Sequence, residues 1–170
     1  MTTTLSQISA LRPGTSVIGT RPVTSDPPSP QSLSQAVQQT VRWVDDSALR
    51  RVAPREAGPA FEPRTLLAIL TYCYAREIYG SADIEDRMRR DEPFRRLCKN
   101  EFPGARVFRR FRRENREVLQ NCLYEVLRWL MSGSGAPTQG TTAITDEDIA
   151  LAASRRMSAA MFVDSMEQFD

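Results

Sequence analysis

Residues 102–119 read FPGARVFRRFRRENREVL, and the spacing inside this stretch decides the expected fold. On a helix, Arg106, Arg109, Arg110, Arg112, Arg113 and Arg116 run in a phase offset from Val107, Phe108, Phe111, Val118 and Leu119. One face can therefore pack on a core while the other meets anions. Pro103 sits where a helix start tolerates proline, and after Gly104 neither proline nor glycine follows until Gly133. The spacing predicts one helix of roughly seven turns running through Leu130, basic in its first half and apolar in its second.

The charge around this stretch is uneven. Between Glu85 and Arg116 twelve Arg or Lys face six acids, an excess of +6 in a chain whose net charge is +2. Screening confines charge effects to about 8–10 Å at physiological salt, so this local excess matters more for partner choice than the total. A polyanion is the natural candidate. The competing reading is a solvated face in which these arginines pair with Glu101, Glu114 and Glu117. Arg109 with Arg113, and Arg112 with Arg116, are like-charge pairs four residues apart, which repel unless a counter-charge arrives.

Outward from there, the 170 residues hold about one domain plus tails, with 41% hydrophobic and 26% charged residues. Residues 1–31 are rich in Ser, Thr and Pro and are expected to be a disordered arm. Residues 32–60 carry an amphipathic helix over Ser34–Arg51, with Val37, Val41, Val44 and Ala48 at helical spacing, and a loop. Residues 61–131 form the compact region. There Pro63 opens a helix whose apolar residues (Leu66, Leu67, Ile69, Leu70, Cys73, Tyr74) surround its axis, as in a buried central helix, with Gly80 as its expected stop. Ser81 can cap the next helix and Asp91 a short one carrying Phe94, Leu97 and Cys98. Asn100–Gly104 makes the turn into the basic helix. A linker, 132–144, precedes a last amphipathic helix in 145–170, where Thr145 and Asp148 stand at capping-box spacing. No alternating strand pattern occurs, so the fold class is all-α. A short helix, a tight turn and a longer basic helix fit a helix-turn-helix, which presents the N-terminal part of its second helix to the major groove. Arginine suits that work because its planar fork bonds guanine edges or phosphates in bidentate fashion.

Four groups of residues follow one another in a telling order. They are Pro63 with Leu66, Leu67 and Ile69 to Tyr74; Tyr79, Gly80, Ser81, Ile84 and Glu85; Asp91, Phe94, Arg95 and Leu97; and Pro103, Phe108, Phe111 and Arg112. From Phe61 to Trp129 the chain resembles the N-terminal domain that precedes the catalytic domain in bacterial insertion-sequence transposases of the DDE type, the group including IS1182-like and IS5-like elements. The resemblance implies DNA binding. Gly104 and Val107 stand where such domains commonly carry an acid and a hydroxyl residue, and Ala82 where an arginine is common.

Chemistry of its own is not expected of this chain. It has no histidine, which removes the commonest general base and most catalytic zinc sites. Asp83, Glu85 and Asp86 read as capping and surface-pairing groups rather than a metal site, and Asp146, Glu147 and Asp148 as an acidic first helical turn. Neither a phosphate-cradling glycine loop nor a nucleophile elbow is present. No cofactor is implied, and the catalytic domain of the resembling transposases is expected to be missing after Met131. Cys73, Cys98 and Cys122 read as buried reduced thiols of a cytoplasmic protein, and no run is long enough for a membrane span. The last helix carries Ile149, Ala152, Ala153, Met157, Ala160 and Met161 at helical spacing. Two placements are open for it: docking on a partner or second copy, or folding back on its own domain. The expected function is a non-catalytic module that binds double-stranded DNA through Arg106, Arg109, Arg110, Arg112, Arg113 and Arg116. The alternative is a protein-interaction module using the arginine face and the last helix.

Overall fold

A computed structural model describes residues 30–52, 61–98, 101–132 and 144–166; the expected disordered arm and the linker fall almost wholly outside them. The described residues form seven α-helices, one 3₁₀ turn and no strand, so the protein is all-α.

Helix α1 (Pro30–Arg42) buries Leu33, Ala36, Val37 and Val41, one stripe at spacings of three and four. It starts earlier and stops sooner than the spacing predicts. The stop has a cause in Arg64, whose guanidinium donates to the carbonyls of Val41 (3.3 Å), Arg42 (3.1 Å) and Val44 (2.8 Å) and to Asp46 (2.6 Å). The cation thus satisfies carbonyls that a helix end leaves unpaired. Asp45 accepts from the Ser47 amide and opens the 3₁₀ turn Asp46–Ala48.

Helix α2 (Pro63–Ala75) is the centre of the molecule. Every residue from Thr65 to Tyr74 is buried, and α1, α4 and α6 pack around it. It ends at Ala75, before the expected stop at Gly80. Glu77 adopts φ 61°, the Ile78 amide reaches back to the Cys73 carbonyl (2.9 Å) and the Glu77 amide to that of Tyr74 (3.1 Å). This is a Schellman turn with glutamate where glycine is commonest. Gly80 instead precedes α3 (Ser81–Arg90), which buries Ile84 and Met88. Helix α4 (Glu92–Cys98) follows, burying Phe94, Leu97 and Cys98. The three thiols are free and buried. Burial pushes those of Cys98 and Cys122 up to about 12, which keeps them protonated at neutral pH.

The single long helix expected from Phe102 to Leu130 is two helices, α5 (Ala105–Glu114) and α6 (Arg116–Ser132), broken at Asn115. Asn115 is buried, and its amide group pairs with main chain far away in sequence. Its Oδ1 accepts from the Arg50 amide (2.7 Å), while its Nδ2 donates to the Arg50 carbonyl (3.1 Å) and to that of Phe111 (3.1 Å). The first two bonds satisfy both backbone groups of Arg50, between the buried Leu49 and Val52. The break follows from a tertiary contact rather than from a helix-breaking residue.

Helix α7 (Asp146–Met166) folds back along α6 and touches α2. Its buried stripe is Ile149, Ala153, Met157, Ala160 and Asp164. The Thr145 hydroxyl accepts from the Asp148 amide (3.2 Å) and the Asp148 carboxylate accepts from the Thr145 amide (3.0 Å), completing the expected capping box with aspartate. The Thr145 amide and hydroxyl (2.8 Å) both donate to this carboxylate and hold it below its usual range. Arg156 anchors the middle of α7 by donating to the carbonyls of Tyr74 (3.0 Å) and Ala75 (2.7 Å) at the end of α2, and to Glu77 (3.0 Å). One continuous core joins α1 to α7.

Candidate nucleic-acid interface

The basic helix α5 lies chiefly on α3, with smaller contacts to α6 and α2. Helix α4 packs instead on α2, α3 and α1. The order short helix then basic helix is present, with Asn100 of the expected turn outside the described residues, but the support of the basic helix is α3.

The start of α5 is held from outside. Gly104 precedes it without a capping side chain, and the Ala105 amide donates to Glu85 of α3 at 2.8 Å. Arg89 holds the other oxygen of Glu85 at 3.2 Å. A β-carbon at position 104 would stand 3.6 Å from the Glu85 carboxylate, so this acid occupies the place beside the turn. A carboxylate there satisfies a free amide and opposes the positive end of the helix dipole. The missing acid at Gly104 is therefore replaced in space by Glu85.

Along α5, Phe108, Phe111, Arg112 and Asn115 face inward. Opposite them, Arg106, Arg110 and Arg113 recur at spacings of four and three and are exposed, as is Arg116 at the start of α6. Arg110 pairs with Glu114 at 2.7 Å, whereas Arg106, Arg113 and Arg116 form no ion pair among the described residues. The arginines of α3 differ: Arg87 pairs with Asp83 (2.8 Å), Arg89 with Glu85 (3.2 Å) and Arg90 with Asp86 (2.9 Å). Those three acids serve the surface pairing expected of them, and the positive excess falls on α5.

Two of the six expected DNA-contacting arginines are not on that exposed face. Arg112 is 3% exposed. Its guanidinium donates to the Asp164 carboxylate of α7, to the Ala160 carbonyl (2.7 Å) and to the Ser81 hydroxyl (3.0 Å), and it lies 5.3 Å from the centre of the Tyr74 ring. Arg109 is intermediate, with Nε 3.7 Å from Asp164. The correction for Arg112 has a simple cause: it sits four residues after Phe108 and three before Asn115, in the phase of the buried stripe. Reading by residue type grouped it with its neighbours. Burial pushes the Tyr74 phenol far up, and its hydroxyl finds no hydrogen-bond partner among the described residues.

The sequence reading missed Asp164 and Ser81 as partners of Arg112. A signal existed, because Asp164 continues the inward spacing of Ile149, Ala153, Met157 and Ala160, and an acid in such a stripe calls for a buried cation. No group of three or more His, Cys, Asp or Glu among the described residues could hold a metal ion. Among those residues, no helix is long and apolar enough to cross a membrane.

The model of one family, described as a transposase domain (DUF772), matches residues 25–114, more than half of the chain. The chain belongs to this transposase domain family. Comparison with curated proteins and with solved structures gives no match. The matched region of the transposase domain takes in α1 and ends at Glu114, the last residue of α5. It thus begins upstream of the Phe61 boundary read from the sequence. Ser81, Glu85 and all the arginines of α5 lie inside it, while α6, α7 and Asp164 lie beyond it.

Proposed function

We propose that this transposase domain binds double-stranded DNA through the outward face of α5 and performs no catalysis itself. Within the transposases we place it with the insertion-sequence DDE enzymes of the IS1182-like and IS5-like group, on the four residue groups described above. The observation that carries the reading is the contrast between α3 and α5. Arginines on α3 are neutralised within their own helix, whereas Arg106, Arg113 and Arg116 stand exposed without an acid among the described residues. A duplex supplies the counter-charge in a row of phosphates. Arg106, in the first turn of α5, is nearest any base edge in the geometry of a recognition helix.

Titration of the full chain against duplex DNA over a salt series tests this. Three phosphate contacts, by the unpaired Arg106, Arg113 and Arg116, predict a slope of log affinity against log salt of about −2.7. A flat response contradicts the reading. A second reading rests on the outer face of α7, where Leu151, Met161, Phe162 and Met166 are exposed, Phe162 by 66%. That face suits a second copy or partner protein. Loss of a dimer on replacing Phe162 and Met166 with Ser, with no DNA affinity in the parent chain, would favour it.

A further inference from the structure

The buried contact between α5 and α7 has the composition of an anion site. Asp164 presents two oxygens. One accepts from the Ser81 amide at 2.9 Å, the other from the Ser81 hydroxyl at 2.9 Å, and Arg112 donates to the second. Arg109 stands 3.7 Å from the first. Ser81 begins α3, so its amide lies at the positive end of a ten-residue helix. A hydroxyl, a free helical amide and two guanidinium groups converge on one pair of oxygens. The Nε of Arg112, a side chain almost wholly buried, has no hydrogen-bond partner among the described residues, so its donor capacity exceeds what Asp164 uses.

The donors and the acceptor have different origins in the chain. Ser81, Arg109 and Arg112 lie within residues 25–114, the region matching the family, whereas Asp164 comes from α7 outside it. Apart from Asp164, α7 buries only Ile149, Met157 and the small Ala153 and Ala160, a thin apolar seam beside the fully enclosed α2. Arg109 stands at the edge of the outward stripe, between exposed Arg113 and buried Arg112 in helical phase. The basic surface therefore continues towards the donors that α7 covers.

We propose that Ser81, Arg109 and Arg112 form an oxyanion pocket for a DNA backbone phosphate, and that Asp164 occupies it as a built-in surrogate while α7 is docked. A phosphodiester carries its charge on two non-bridging oxygens, which can accept the same donors as the two oxygens of the carboxylate. Undocking of α7 opens the pocket, and docking closes it. The assignment of the ligand to DNA rests on the function proposed above; the pocket itself does not.

The test uses the full chain carrying Asp164→Ala and follows thermal unfolding in inorganic phosphate against sodium chloride of equal ionic strength. Asp164→Ala should gain about 5 °C or more in Tm at phosphate a hundredfold above its Kd, while the parent chain gains nothing beyond the salt control. Adding Arg112→Met to Asp164→Ala should abolish the gain. No phosphate-specific gain in Asp164→Ala overturns the pocket. If that variant does not fold, Asp164→Asn keeps the volume and removes the charge; a smaller gain of the same kind is expected, and none overturns the proposal. In the DNA arm, Asp164→Ala should bind duplex about tenfold more tightly, with a slope steeper by about 0.9 for one added phosphate. A phosphate gain with unchanged DNA affinity overturns the assignment to the DNA backbone. A phosphate gain when neither chain binds DNA sinks the proposed function and leaves the pocket standing.

Discussion

Arg106 and Arg112 lie six residues apart on one ten-residue helix and do opposite work. Arg106 is exposed and without an acid among the described residues, while Arg112 is enclosed by α3, α7 and the Tyr74 ring. The difference combines helical phase with the docking of α7, whose Ala160 and Asp164 cover the inner side. An arginine-rich helix is thus two sets of cations, one that holds the protein together and one left exposed, the set to which the proposed function assigns DNA. Arg64 and Arg156 repeat the first role at the ends of α1 and α2, where their guanidinium groups take carbonyls that the helices leave unpaired.

This division can be broken at its inner side first. Arg112→Met should cost about 3–5 kcal/mol, because it leaves the Asp164 carboxylate buried without its cation. Urea unfolding monitored by circular dichroism measures it, and pairing the change with Asp164→Leu should restore most of the loss. Asn115→Ala comes next, at about 2–3 kcal/mol in the same assay, since the amide and carbonyl of Arg50 both lose their partner. Arg156→Ala should cost about 1–2 kcal/mol by leaving the Ala75 carbonyl at the end of α2 without this donor and that of Tyr74 with the Glu77 amide only. At the outer side, the double change Arg106→Ala with Arg113→Ala should move stability by less than about 0.5 kcal/mol. A large loss there would erase the distinction between the faces.

Much of the fold could be read from local pattern, and the exceptions share a physical cause. The all-round apolar character of residues 66–74 marked the central helix, and Thr145 with Asp148 marked the start of the last one, because both signals lie within a few residues. The break at Asn115 was illegible, since the groups that stabilise it belong to Arg50, sixty-five residues away. Gly80 misled for the opposite reason: a left-handed turn usually asks for glycine, and here Glu77 takes it. The turn at Gly104 carries no capping side chain of its own, and the acid beside it, Glu85, again comes from another helix. For the interface, the outward arginines followed from periodicity, while the loss of Arg112 to the interior depended on where α7 folds. The sequence left that placement open between a partner and its own domain, and only packing against α6 decides it.

The division of α5 into a structural and a binding face is tested most directly by titrating duplex DNA with the parent chain and with the Arg106→Ala, Arg113→Ala double variant across one salt series. The account predicts weaker binding by a variant of unchanged stability, with the salt slope shallower by about 1.8, two phosphates at about 0.9 each. Equal affinities and equal slopes for the two chains would contradict it.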